Sequence, residues 1–261
     1  VKTLTRARYL VTAVCGYALY LGGHLAFGAL IVPLLLPLFP FPRLRRRLFL
    51  MVFNGFVRFL TRTYLPALGI YRIAELPHTE APATPAIYVA NHRSRIDGPL
   101  LLGLIQDAGV VIKTAYGRNP LFAGFVRHLD FISVNPGSLA SLASAGKRAA
   151  ELFSRKKNLL VFPEGTRAAG GRMLPFREFA FRLAQDRGLP VVPVVVHTSL
   201  PFMTRRRGSM LPGRRFDVRV RFLAPQTPRP DERTGDFTGR IEQMIARELR
   251  EMDRGTVWET L

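Results

Sequence analysis

Ala86-Ile87-Tyr88-Val89-Ala90-Asn91-His92-Arg93-Ser94-Arg95-Ile96-Asp97-Gly98-Pro99 is the stretch that decides the fold. Its first five residues form an apolar run of strand length, followed at once by polar residues. Gly98-Pro99 then opens a helix, because the fixed φ of proline suits a first helical turn. A strand passing through a short polar turn into a helix is the repeating step of an α/β sheet.

Outward from this stretch the same step recurs. Strands are expected at 110–113, 131–134, 158–162 and 191–196, with helices at 98–105, 121–129, 139–154 and 177–187 between them. The 191–196 run is apolar throughout, as a strand covered on both faces requires. Residues 216–222 differ: Phe216, Val218, Val220 and Phe222 alternate with Asp217, Arg219 and Arg221. That period predicts a half-exposed strand near a sheet edge. A last amphipathic helix is expected over 237–252. Residues 75–85, rich in Pro, Thr and Ala, read as a linker. The fold class that follows is α/β, a mixed, mostly parallel sheet with helices on both faces.

An N-terminal helical membrane-binding module is expected ahead of that sheet. Residues 9–41 contain no Asp, Glu, Lys or Arg, a run longer than the ~20 residues that span a bilayer as a helix. Lys2, Arg6 and Arg8 precede it, and Arg43, Arg45, Arg46 and Arg47 follow it. A single span would put one basic cluster on each side, against the tendency of such charge to stay cytoplasmic. Pro33 and Pro37 also disturb a straight helix. A re-entrant hairpin is therefore favoured, with a true span or a signal peptide as alternatives. Over 48–70, Asn54, Arg58 and Arg62 form one stripe and apolar residues cover the rest. This pattern fits an interfacial helix or an ordinary core-facing one. The division expected is 1–70 for the membrane module and 71–261 for the catalytic domain.

The net charge of +20 makes anionic partners the natural ones. No zinc-finger, RRM or basic-zipper pattern is present, so nucleic acid is set aside in favour of membrane lipids. The single cysteine, Cys15, cannot form an internal disulfide, and no Cys/His spacing suggests a metal.

His92 has the right unperturbed pKa for proton abstraction near neutrality. It follows a strand, at the edge where α/β sites gather. Asp97 lies five residues on, and in one continuous helix the two side chains would point about 140° apart. They meet only if His92 lies in the turn and Asp97 in the first helical turn. The alternative is an Asp97 that merely caps the helix beside a surface histidine. Further along, Phe162-Pro163-Glu164-Gly165-Thr166-Arg167 follows another strand-like run. Gly165 permits close backbone approach, and the planar fork of Arg167 suits a phosphate. A tight turn with a solvated arginine is the plainer possibility.

Together these segments resemble the glycerolipid acyltransferase family, the lysophosphatidic acid acyltransferases and their relatives. The resemblance runs over roughly residues 70–225. It rests on Asn91-His92 through Asp97 with Ser94, on Phe162 to Arg167, and on Leu174-Pro175-Phe176 with Gly188 to Val194. It implies that His92 deprotonates an acceptor hydroxyl, that Asp97 orients the ring, and that Glu164, Gly165, Thr166 and Arg167 bind the acceptor's phosphate. Asn91, Ser94 and Lys113 join the substrate-binding set. No acyl-enzyme is implied, and no Gly-x-Ser-x-Gly elbow is present. Two departures touch the acceptor side: Asn135 stands where the family has an arginine, and Phe179 where it has a glycine.

The resemblance thus implies an O-acyltransferase without cofactor or metal. It would take acyl-CoA or acyl carrier protein as co-substrate and a lysophospholipid, first of all 1-acylglycerol-3-phosphate, as acceptor. It would be membrane-associated, with its catalytic domain on the cytoplasmic face (the inner membrane in a bacterium). The alternatives are a specialised lipid or pigment precursor as acceptor, or an inactive lipid-binding scaffold. Arg205-Arg206-Arg207 and Arg214-Arg215 form a further basic patch, either a solvated loop or a contact for anionic headgroups or an acidic carrier protein.

Overall fold

The computed structural model describes residues 40–77, 84–115, 129–168, 171–206 and 214–260 continuously, with scattered positions elsewhere. Most of 1–39, and so the expected hairpin, lies outside the described residues, as does the helix expected at 121–129 apart from Leu129.

In chain order the described elements are α1 (Pro42–Phe59), β1 (Tyr71–Glu75), β2 (Ile87–Ala90), α2 (Asp97–Leu102), β3 (Ala108–Lys113), β4 (Phe131–Val134), α3 (Leu139–Ser154), β5 (Asn158–Val161), α4 (Phe179–Arg187), β6 (Val191–Thr198), β7 (Phe216–Phe222) and α5 (Thr234–Asp253). A wide helical turn, Leu60–Tyr64, and the short Leu65–Ala67 carry α1 toward β1, and a tight turn, Val257–Thr260, follows α5.

Seven described strands form one sheet in the order β1-β7-β6-β2-β5-β3-β4. β2 runs parallel to β5 and β6, and β3 runs parallel to β4 and β5. β7 is antiparallel to β6 and parallel to the edge strand β1. The mixed, mostly parallel sheet is the one the alternation predicts. β7 is one strand in from the edge. The edge itself, β1, is a strand that sequence periodicity did not announce.

Alternation within the strands sends side chains into two cores. Tyr88, Ala90, Leu160, Val192, Val194 and Val196 share one core with Phe49, Phe53 and Val57 of α1 and Leu100 and Leu101 of α2. Ile87, Val89, Leu159, Val161, Val191 and Val195 share the other with residues of α3, α4 and α5. Each face thus has its helices, and the central strands are apolar on both sides because neither face meets water. α1 is held further by Arg58, whose Nε donates to the Gly103 carbonyl at 3.2 Å. The Tyr71 hydroxyl donates to the Thr61 carbonyl. Met51 and Phe59 on the outer side of α1 are 61% and 55% exposed, beside exposed Arg47 and Arg58. Among the described residues no helix is long and apolar enough to cross a membrane.

Local signals explain the better-defined helices. Ser138 caps α3, its hydroxyl accepting from the Ser141 amide at 3.2 Å. Gly188 ends α4 at φ +61°, a left-handed conformation glycine adopts without penalty. The antiparallel turn of β7 has a consequence for the site. It returns the chain to the amino edge of the sheet, so α5 runs back and ends at the carboxyl edge, where the loop after β2 begins.

Candidate active site

Asn91 fixes the start of that loop. It is fully buried; its Nδ2 donates to the Val196 carbonyl at 2.9 Å and its Oδ1 accepts from the Val196 amide at 2.8 Å. The side chain therefore substitutes for a backbone pairing between β2 and β6, and each of its polar atoms is engaged there.

His92 comes next. Its Nδ1 lies 2.9 Å from Asp97 Oδ2, with the imidazole 21% exposed and the carboxylate 2% exposed. Asp97 is the first residue of α2. The same Oδ2 also accepts from the backbone amides of Arg93 at 2.9 Å and Ser94 at 2.7 Å. An oxygen that accepts two amide hydrogens is an acceptor toward the ring as well, which assigns the ring proton to Nδ1. Nε2 then carries a lone pair and can take a proton. The Phe162 ring stacks on His92 with centroids 4.2 Å apart and planes 28° apart, limiting rotation of the imidazole. Ser94 closes the loop, its Oγ donating to the Phe202 carbonyl at 2.6 Å.

The second motif leans on the first. Gly165 N donates to the Phe162 carbonyl at 3.0 Å, closing a turn with Pro163 in the second position and glycine in the fourth, both favoured there. Glu164 is buried. Its Oε1 accepts from the His92 amide at 2.6 Å and its Oε2 from the Leu174 amide at 2.8 Å. Burial pushes its carboxyl up to about 7, against the two amide hydrogen bonds from Leu174 and His92, which pull it down. Gly165 sits at φ +66°, and a Cβ there would lie 3.1 Å from Arg177 Nε. The left-handed backbone disfavours a side chain at Gly165, and Arg177 would have to shift slightly to admit one. Ala168 N donates to the His92 carbonyl at 2.9 Å, so the two motifs are tied on each side of the histidine.

The structure distributes the sequence candidates unevenly. His92 and Asp97 meet. Asn91, Ser94 and Glu164 direct their polar atoms to backbone groups of the loop and its neighbours. Arg167 is half-buried and donates from Nη1 to the Met203 carbonyl at 3.0 Å, which joins it to the loop after β6. Thr166 is half-buried on the turn, and Lys113 stands exposed at the end of β3, separated from β2 by β5. Among the described residues no group of three His, Cys, Asp or Glu is arranged to hold a metal ion.

Sequence reasoning missed a cluster under the loop. Arg93 is buried and forms a forked pair with Asp253, Nη1 to Oδ1 and Nη2 to Oδ2, both at 2.7 Å. His197 and Trp258 border the same pair. Phe162, quoted only as part of a motif, turns out to face the imidazole. No spacing could have joined Arg93 to Asp253, since they lie 160 residues apart.

Known proteins are similar to this chain in sequence and in fold. A sequence model of the family described as Acyltransferase matches residues 70–197. The 1-acyl-sn-glycerol-3-phosphate acyltransferase of Limnanthes alba is 31% identical over 214 residues, covering 80% of this chain and 70% of that protein. The chain belongs to the acyltransferase family. Within it, the chloroplastic 1-acyl-sn-glycerol-3-phosphate acyltransferase BAT2 of Brassica napus is 32% identical over 127 residues, which is 49% of this chain and 36% of that relative. The alpha form of the mouse enzyme of the same name is 32% identical over 156 residues, 57% of this chain and 52% of the relative. This family member therefore spans only about a third to a half of several relatives, by the 36% and 52% coverage just given. The crystal structure of the 1-acyl-sn-glycerophosphate (LPA) acyltransferase PlsC from Thermotoga maritima superposes with a TM-score of 0.74, covering 96% of this chain and 98% of that one at 19% identity. At that identity the likeness concerns the fold.

Proposed function

We propose that this chain transfers a fatty acyl group from a thioester donor, acyl-CoA or acyl carrier protein, to the free hydroxyl of a lysophospholipid, 1-acylglycerol-3-phosphate before others. The observation that carries the proposal is the 2.9 Å contact between His92 Nδ1 and Asp97 Oδ2 on a partly exposed ring.

In this reading Nε2 takes the proton of the acceptor hydroxyl as its oxygen bonds to the thioester carbonyl carbon. Asp97, already turned toward Nδ1, stabilises the imidazolium that results. The tetrahedral adduct collapses with cleavage of the carbon–sulfur bond, and the imidazolium returns its proton to the departing thiolate. The enzyme supplies position and a base, with no covalent intermediate. The acceptor's phosphate is assigned to the Gly165–Arg167 turn. Membrane association follows from an acceptor that resides in the bilayer, and it is supported by the basic run 43–47 and by the exposed Leu44, Met51 and Phe59 of α1.

Purified chain, lysophosphatidate and acyl-CoA test the reading directly. His92→Ala is expected to lower phosphatidate formation by about 10²- to 10⁴-fold while the melting transition is retained. Transfer at the wild-type rate in that variant sinks the general-base assignment.

One observation favours a second reading of the acceptor. Asn135, at the position where the family has an arginine, is exposed and uncharged, and its Oδ1 accepts from the Gly137 amide at 3.3 Å. A lipid hydroxyl without a phosphate monoester would need no cation there. A panel of lysolipids and neutral hydroxylated lipids separates the two: a preference for neutral acceptors replaces the first.

A further inference from the structure

We infer that the carboxyl end of α5 positions the general base, with Asp253 as a positioning residue that acts on the His92 loop through Arg93. This inference rests on the reading of His92 given above.

Arg93 is held at both ends. Its amide donates to Asp97 Oδ2, the oxygen that also receives His92 Nδ1. Its guanidinium, 7% exposed, makes the forked pair with Asp253, whose side chain is 13% exposed. The guanidinium carbon lies 4.6 Å above the centroid of the Trp258 ring. The Trp258 indole in turn donates to the carbonyl of Thr198, the last residue of β6. A chain of contacts therefore runs from the end of β6 and the end of α5 to the residue beside the histidine.

Stability alone is a weak explanation for this cluster. Desolvating a guanidinium and a carboxylate is expensive, and apolar replacements of similar volume are often neutral or better. Among the described residues, the cluster also leaves Arg93 Nε and both ring nitrogens of His197 without a hydrogen-bond partner, although His197 Nε2 lies 3.4 Å from Asp253 Oδ1. What a forked pair provides, and an apolar plug does not, is direction: two parallel charge-assisted bonds define both the position and the plane of the guanidinium. Placed one residue from His92, that direction sets the backbone whose amide shares the Asp97 oxygen.

The test uses the full-length chain with isotope-labelled histidine. Removing one charge strands the other, so the informative variant is the double Arg93→Met/Asp253→Leu, which removes both. It is expected to melt cooperatively near the wild-type temperature. Its kcat should fall about 10- to 100-fold, with KM for lysophosphatidate changed less than about twofold. The ring-nitrogen signals of His92, assigned by their loss in His92→Gln, should move at constant pH, because a displaced carboxylate changes the hydrogen bond at Nδ1. A folded double variant with wild-type kcat and unmoved His92 ring signals overturns the inference. So does a parallel loss in kcat and acceptor affinity with those signals unmoved, since that is general damage. Should the double variant fail to fold, Asp253→Glu keeps the charge and displaces the fork; it is expected to lower kcat about fivefold with KM held, and no change in it overturns the inference equally. Absence of transfer in the wild type defeats the functional reading instead, and the His92 ring signals still decide whether α5 positions the ring.

Discussion

Two loops at the carboxyl edge of the sheet are built on opposite plans. Between β2 and α2, Asn91, Arg93, Ser94 and Asp97 are all buried, and their polar groups are committed to one another, to β6 and to α5. Between β6 and β7, the described Arg205, Arg206, Arg214 and Arg215 are exposed. The first plan suits chemistry, where a base must stand in one place before the substrate arrives. The second suits attraction, where several mobile charges facing anionic surfaces raise encounter without needing a fixed geometry. Among the described residues the two loops meet where Ser94 Oγ donates to the Phe202 carbonyl at 2.6 Å and Arg95 N donates to the Met203 carbonyl at 3.1 Å.

The contrast can be broken first at Asp97. Asp97→Asn keeps an oxygen facing the Arg93 and Ser94 amides and His92 Nδ1, but it removes the negative charge that stabilises the imidazolium. A loss on the order of 10³-fold in kcat with little change in acceptor KM is expected. A rate within tenfold of wild type would show that the carboxylate's charge does not support the ring.

Glu164 sharpens the comparison, because rigidity in this loop carries a pH dependence. Its folded pKa, about 7, stands above its ordinary value of 4.5. The folded state therefore holds this proton more tightly, and the group's cost to stability is absent below about 4.5. The cost grows as pH rises through 7, to about 3 kcal/mol. Glu164→Gln lacks a titrating group, so its denaturant-unfolding free energy relative to wild type should improve steadily from pH 4.5 to 7.5. Profiles that stay parallel across that range would remove the claim.

The smallest effect belongs to the exposed loop. Arg205→Ala/Arg206→Ala should raise the apparent KM for acceptor in anionic vesicles about fivefold at low salt, with kcat unchanged. In about 0.5 M salt the difference should vanish. A fall in kcat instead would mean that these arginines reach the reacting atoms and that the two plans overlap.

How much could be read beforehand follows the range of the interactions. The strand at 131–134 and the helix at 139–154 are where local pattern puts them, because the apolar period and the Ser138 cap are short-range signals. β1 escaped because Tyr71-Arg72-Ile73-Ala74-Glu75 is short and follows an apolar helical stretch. Its partner, β7, is about as far away in sequence as the 145 residues that separate Arg72 from Asp217 in their ion pair. The wide turn at 60–64 carries no local signal in the sequence Leu60-Thr61-Arg62-Thr63-Tyr64.

At the site, the sequence by itself determined which groups could do the chemistry. His92, Asp97 and the Gly165 turn lie within short motifs, whose residue types suit the local geometry and the proton transfer proposed above. Only the tertiary structure decided what each group is spent on. It turned Asn91 and Glu164 to backbone amides, set Phe162 against the imidazole and brought Asp253 beneath Arg93. The reason is physical: backbone propensity and periodicity act over a few residues, whereas a buried donor takes whichever acceptor the packing of β6 and α5 delivers.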